Sequence, residues 1–235
     1  VRPVPPPPVI SYQDWGFLCG ILAARTTEEL TSRPFVPSPA RLAPGERALL
    51  VGPAQRHTWK PQSAVAYRRD NMFAFGSLSF VVAAHAINEA ANAMRKSKAR
   101  AEAQGQWVID GAGPLTVTTH GAHFTHPDTW AHFAWGRAEF CDMDAADLFQ
   151  IHMVDDMTGH RIGLRFRTIW APLVFVLTAL SSQPGHPRLH DRSWVPPHLA
   201  HVHPEVPALV ADVALKLATG QELPLDQARY RGLRG

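Results

Sequence analysis

Histidine is the residue whose frequency invites a chemical reading: the chain of 235 residues carries 13. Most gather in two stretches, His120, His123, His126 and His132 in the middle of the chain and His186, His190, His198, His201 and His203 towards its end. Neutral imidazole is a common zinc ligand and titrates near pH 6.5, so such groups suit metal binding or a pH response. A metal requires at least three converging donors, with Zn–N near about 2.0–2.1 Å. His120, His123 and His126 make one candidate set; on an extended strand the first and last share a face and His123 points away, unless a turn intervenes. His198, His201 and His203 make the other, which Asp191 or Glu205 could complete. Pro196, Pro197 and Pro204 exclude a helix of the HExxH kind there. On this reading the chain is a metal-dependent hydrolase. The simpler reading is solvated or hydrogen-bonded histidines, with no cofactor.

Other catalytic signatures fail on their spacing. Asp142 and Asp144 form a DxD pair, but no alternating strand–helix pattern surrounds them, and Asp144 reads as a turn cap in a loop after a strand. An EF-hand counted from Asp142 puts Met153 where a bidentate carboxylate belongs. Cys141 has an acidic neighbour, Asp142, which raises a thiol pKa, so a buried inert cysteine is expected. Gly111 and Gly113 lead into a strand and lack a third glycine, and Ser77, Ser181 and Ser182 sit in no GxSxG elbow. Two distant cysteines, Cys19 and Cys141, build no disulfide framework, which points to a cytoplasmic, thiol-tolerant protein.

Apolar residues make up 46% and charged residues 18%, which allows a sizeable core and excludes a disordered chain, a coiled coil or a collagen-like fibre. The net charge of +3 is too small a surplus to mark a nucleic-acid binder. Two basic groups are nonetheless candidate binding residues. Arg161, Arg165 and Arg167 alternate with Ile162, Leu164 and Phe166, so they share one strand face; with nearby tryptophans they could stack single-stranded nucleic acid, although a solvated face is simpler. Arg95, Lys96, Lys98 and Arg100 follow the uncharged stretch Met72 to Asn88, which falls short of the roughly 20 apolar residues of a spanning helix. They fit a helix that touches a membrane surface or a partner, or merely the dipole of a buried helix. Of the tryptophans, Trp107, Trp130, Trp135 and Trp170 lie in or beside the β-rich region; most should be core, and an exposed one would mark an interface.

The elements that hold these residues follow from periodicity and punctuation. Residues 12–24 read as a short apolar helix, and Pro34, Pro37, Pro39 and Pro44 mark an extended linker. Strand candidates at 48–51, 57–59 and 64–69 precede one long helix, 75–104. The period then changes from 3.6 to 2. Strands are expected at 107–110, 115–119, 122–126, 130–135, 138–142, 148–154 and 161–167, with turns at Gly111 to Pro114, His120–Gly121 and Asp155 to Gly159. An apolar helix, Ile169 to Leu180, has Pro172 in its first turn. A His- and Pro-rich loop over 183–204 leads to an amphipathic helix, Glu205 to Thr219, that stops at Gly220. The run Pro5 to Pro8 has no apolar segment behind it and reads as a polyproline lead-in, not a secretory signal. The expected organisation is an N-terminal extension (1–44), a central domain (45–182) and a C-terminal segment (183–235).

Leu115 to Thr119, then Phe124, Trp135, the run Gly159 to Phe166 and the apolar helix have a cadence that resembles a bacterial pleckstrin-homology or GRAM-like domain. The chain is also similar to actinobacterial proteins in which a small-residue helix ending in basic residues precedes a tryptophan-started meander. The resemblance is good over 105–182 and loose over 45–70. It implies an α+β fold: an antiparallel barrel or sheet closed by a C-terminal helix, with a long inserted helix and helical extensions. It further implies a non-catalytic binding or adaptor module that engages a protein partner, or the inner membrane surface peripherally. Phosphoinositide-binding relatives carry basic residues in the first hairpin; here His120-Gly121-Ala122-His123 has neither Lys nor Arg. Nucleic acid is not the expected partner, and the oligomeric state is not legible.

Overall fold

The computed structural model describes residues 9–26, 30, 34–60, 106–155 and 158–221. The helix expected over 75–104, with Arg95, Lys96, Lys98 and Arg100, and the strand expected over 64–69 lie outside the described residues. The chain divides into two compact units, one of residues 1–58 and 109–235 and one of residues 59–108. In the second, the rings of Trp59 and Trp107 meet edge-on at 5.3 Å. The first holds the core and the site described below.

The class is α+β, as expected. Seven strands run in the order β4-β3-β2-β1-β7-β6-β5: β1 Ala48–Lys60, β2 Gln106–Thr118, β3 Gly121–Phe124, β4 Ala131–Ala134, β5 Ala138–Ala145, β6 Leu148–Val154 and β7 Arg161–Arg167. Neighbouring strands pair antiparallel, with His57 opposite Arg165 between β1 and β7, and Phe149 opposite Phe166 between β6 and β7. Alternation decides which face is buried: Leu164 and Phe166 point inward from β7, while Arg161 is exposed and Arg165 and Arg167 are half-buried. The inward residues of both halves of the sheet meet in one aromatic cluster. Phe166 lies 5.8 Å from Phe124 and 5.8 Å from Phe133, and Phe133 lies 6.1 Å from Phe149.

Four helices complete the described fold: α1 Tyr12–Thr26, α2 Ala171–Ser182, α3 Pro187–Asp191 and α4 Glu205–Ala218. Helix α2 is apolar all round because it is buried all round, from Ala171 to Leu180. It packs on β5, β6 and the turn at Trp135–Arg137. Helix α1 buries the stripe Trp15, Leu18, Cys19 and Leu22, spaced for one helical face, and packs on α4. Trp15 donates from Nε1 to the Val202 carbonyl (3.0 Å) and lies 5.8 Å from Trp194. Among the described residues no helix is long and apolar enough to cross a membrane.

Four local expectations require correction. The strands expected at 48–51 and 57–59 are one, Ala48–Lys60. The Gly111–Pro114 segment is not a turn: β2 runs through it without a break. A Cβ at Gly113 would lie 2.3 Å from the Thr125 carbonyl oxygen, and one at Gly111 2.7 Å from Thr129 Oγ1. The glycines therefore permit close passage of another chain segment, and do not mark a reversal. Residues 183–204 are not a loose loop. They include α3 and the single turn Pro197–Leu199, and they bury Leu189, Trp194 and Leu199. Pro187 opens α3 where a missing N–H costs nothing, and His186 Nδ1 accepts from Arg188 N (3.2 Å) as its cap. Asp144 caps no turn; it belongs to β5 and its carboxylate takes Arg165 Nη2 at 2.6 Å.

Candidate functional site

The site begins at a tight turn before β1. Glu46 N donates to the Ala43 carbonyl (3.0 Å), across Pro44 and a Gly45 with φ +79°. Pro at the second position and a positive-φ Gly at the third are the residues such a reversal requires. The turn aims the Glu46 side chain inward, where Ala43 N donates back to Oε2 at 2.9 Å. Thr118, at the end of β2, is fully buried and donates its hydroxyl to Glu46 Oε1 at 2.5 Å. The Thr118 hydroxyl oxygen in turn accepts the N–H groups of His120 (3.1 Å) and Gly121 (2.9 Å), which sets the β2–β3 reversal.

Across that reversal, His123 Nε2 lies 2.7 Å from Glu46 Oε1. The β3–β4 register sets His123 directly opposite His132, and their rings stack with centroids 4.3 Å apart. The donor atoms of Glu46, His123 and His132 all lie within 4.8 Å of one another, the one such group of metal-binding type among the described residues. Burial by itself would raise the Glu46 carboxyl, but the hydrogen bonds from Thr118, Ala43 and His123 outweigh it and hold it below the usual carboxylate range.

The cluster opens into a groove of about 1080 Å³ between the Pro39–Pro44 segment and the β3–β4 hairpin. Arg41, His120, His123 and His132 line it, and Trp130 stands on its wall. Trp130 is 69% exposed. Its backbone, by contrast, is anchored: Arg56 Nη1 donates to the Trp130 carbonyl (2.8 Å), and Thr129 Oγ1 donates to the Asp110 carbonyl (3.1 Å). Arg56 is itself oriented by Asp110, with Nε 3.6 Å from Oδ1, and by Thr58 Oγ1 at 3.2 Å from Nη2.

The other candidate residues are placed elsewhere. His120 pairs with Thr119 through Nδ1 (2.8 Å), and His126 Nδ1 accepts from Asp128 N (3.2 Å), so neither joins His123. In the C-terminal group, His198 Nε2 lies 3.4 Å from the Ile10 carbonyl and His203 Nδ1 3.1 Å from Glu205 Oε1. His201 meets the Tyr12 ring edge-on at 6.3 Å. The three β7 arginines do share a face, and each meets a carboxylate: Arg161 with Glu139 (3.0 Å), Arg165 with Asp144 (2.6 Å) and Arg167 with Asp147 (3.5 Å). That face is an ion-pair stripe, with much of its charge already compensated. Glu46 belonged to no candidate set, since nothing in sequence links it to a histidine 77 positions away.

Both cysteines are free and buried. Burial, and then Asp142, push Cys141 up to about 12, and burial with Glu205 does the same to Cys19. Two histidines bear on pH. Burial, then Arg167 and Arg165, lower His57, whose buried Nε2 has no hydrogen-bond partner among the described residues. Burial also lowers His186, against the opposing charge of Asp142. Unfolded imidazoles titrate near about 6.5, so between that value and the lower folded pKa the unfolded chain binds more protons. Their stabilising contribution is complete above the unfolded pKa and is lost as pH falls through the folded one. The urea midpoint should therefore decline as pH is lowered from about 7 to about 5. The double variant His57→Asn, His186→Asn should flatten the decline, Asn being a good cap at 186. An equally steep decline in that variant would show that other groups carry it.

Comparison of the chain with protein-family models, with curated proteins and with solved structures finds no match.

Proposed function

We propose that this protein is a cytoplasmic, non-catalytic binding module of pleckstrin-homology-like architecture that engages a protein partner through the groove beside Trp130. The observation that carries the reading is an exposed indole on a fixed backbone. An aromatic anchor held by Arg56 and Thr129 loses little freedom on binding, which is how a few residues come to dominate an interface. The groove chemistry specifies the partner further. Arg41 and the imidazoles line it, while the carboxylate of Glu46 is turned into hydrogen bonds with 3% of its side chain exposed. An extended segment with an apolar side chain and acidic neighbours fits that lining. The architectural part of the reading is supported by the strand order, in which β1 joins a four-stranded half to a three-stranded half, and by the apolar helix that follows β7.

The test is a peptide array of acidic, aromatic-containing and scrambled segments probed with the full chain, followed by titration of the best binder. Trp130→Ala should weaken that binding by about 30-fold or more, the effect of losing an anchor worth about 2 kcal/mol. Arg56→Ala should weaken it less, by freeing the indole's backbone. Peptide binding indifferent to Trp130→Ala, or sedimentation with anionic vesicles in place of peptide binding, would refute the proposal.

A further inference from the structure

We infer that Glu46, His123 and His132 bind one divalent transition-metal ion of the zinc class, with open coordination on the groove side. The inference does not depend on the groove having a protein occupant. Two imidazoles and one carboxylate match the nitrogen and oxygen preference of zinc, and this donor set is one that leaves positions free for water or an anion. Their donor atoms lie within 4.8 Å of one another. A tetrahedral ion with bonds of about 2.0–2.1 Å holds its ligands roughly 3.3 Å apart, so small side-chain rotations close the set. His123 Nε2 and Glu46 Oε1 at 2.7 Å are already within that separation and would part slightly to admit the ion.

The surroundings are those of a prepared ligand set. Glu46 is 8% exposed, and its oxygens are oriented by Thr118 Oγ1 and Ala43 N. Donors behind a ligating carboxylate fix its direction and raise metal affinity. A carboxylate so buried requires cationic or hydrogen-bonding neighbours, and on the groove side the His123 imidazole is one of them, 2.7 Å away. The two histidines come from adjacent strands at directly opposed positions, so the β3–β4 ladder itself presents them side by side. Glu46 arrives from a turn before β1, remote in sequence, so an ion there would tie that turn to the hairpin.

The full chain, stripped with a chelator, should be titrated with Zn²⁺ in competition with a chromophoric chelator, and with Co²⁺ as a spectroscopic probe. One equivalent per chain and the absorption of nitrogen- and oxygen-ligated Co²⁺ are expected. His132→Asn and Glu46→Gln should each weaken binding on the order of 100-fold, and Thr118→Val about 10-fold. The double variant His198→Asn, His201→Asn should bind as the unmodified chain does. His132 is exposed, so its replacement tests the site even if Glu46→Gln fails to fold. Absence of competitive binding, or a tight equivalent that His132→Asn leaves unchanged, would overturn the inference.

Discussion

Replacing Phe166 with alanine is expected to cost about 3–5 kcal/mol of stability, lowering the melting temperature by roughly 6–20 °C. The side chain is fully buried on β7, the strand that lies between β1 and β6. It touches Phe124 on one half of the sheet and Phe133 beside it, each at 5.8 Å. Phe149 stands opposite it on β6. Removal therefore loses the transfer free energy of a phenyl group and leaves a cavity that rigid strands on both sides cannot fill. Since a domain has only about 5–15 kcal/mol in hand, a large share of its stability is at stake. Urea denaturation followed by tryptophan fluorescence measures it, and Phe166→Leu should lose clearly less. A loss below about 1 kcal/mol for the alanine variant would mean that the two halves of the sheet do not share this core.

The second large effect comes from adding a single carbon. A Cβ at Gly121 would lie 2.2 Å from the Phe133 carbonyl oxygen and 3.1 Å from the Ala134 Cα. Both neighbours are backbone, so the contact is relieved only by moving β3 away from β4. Overpacking of this kind costs about 1–3 kcal/mol, and here the adjustment falls on the hairpin that carries both His123 and His132. Gly121→Ala should thus lower thermal stability and weaken binding at the groove together. Gly185→Ala, where a Cβ meets nothing within 4 Å, is the control that should leave both alone. Equal melting temperatures for the two variants would show that the hairpin accommodates the extra carbon without separating its strands.

Much of the secondary structure is legible in sequence, and two of the misleading stretches turn on glycine and proline. The alternation of Leu148 to Val154 and Arg161 to Arg167 predicts β6 and β7 to the residue. The stripe of Val206, Leu209, Val210, Val213 and Leu217 predicts the face that α4 turns to the core, where the three valines are buried and the two leucines partly so. Here the local period and the tertiary environment agree. Gly111 and Gly113 mislead because glycine serves both as a turn residue and as a place for close approach, and only the neighbouring Thr125 and Thr129 decide which. The Pro-rich segment after Gln183 misleads similarly, since proline opens α3 and the turn at Pro197 as readily as it breaks a helix.

Composition and periodicity by themselves pointed to a core-forming chain of strands and helices. Local sequence also set the faces, because a side chain's direction along a strand depends only on the parity of its position. The partners were decided by tertiary structure alone. His123 meets His132 because β3 pairs with β4 in one particular register, and meets Glu46 because a turn at Pro44–Gly45 folds inward beside Thr118. His120 and His126, as close to His123 in sequence as any ligand set requires, are directed instead to Thr119 and to Asp128. Proximity along the chain governs which residues share an element. Strand order and turn geometry govern which of them converge, and a metal or a partner responds only to the second.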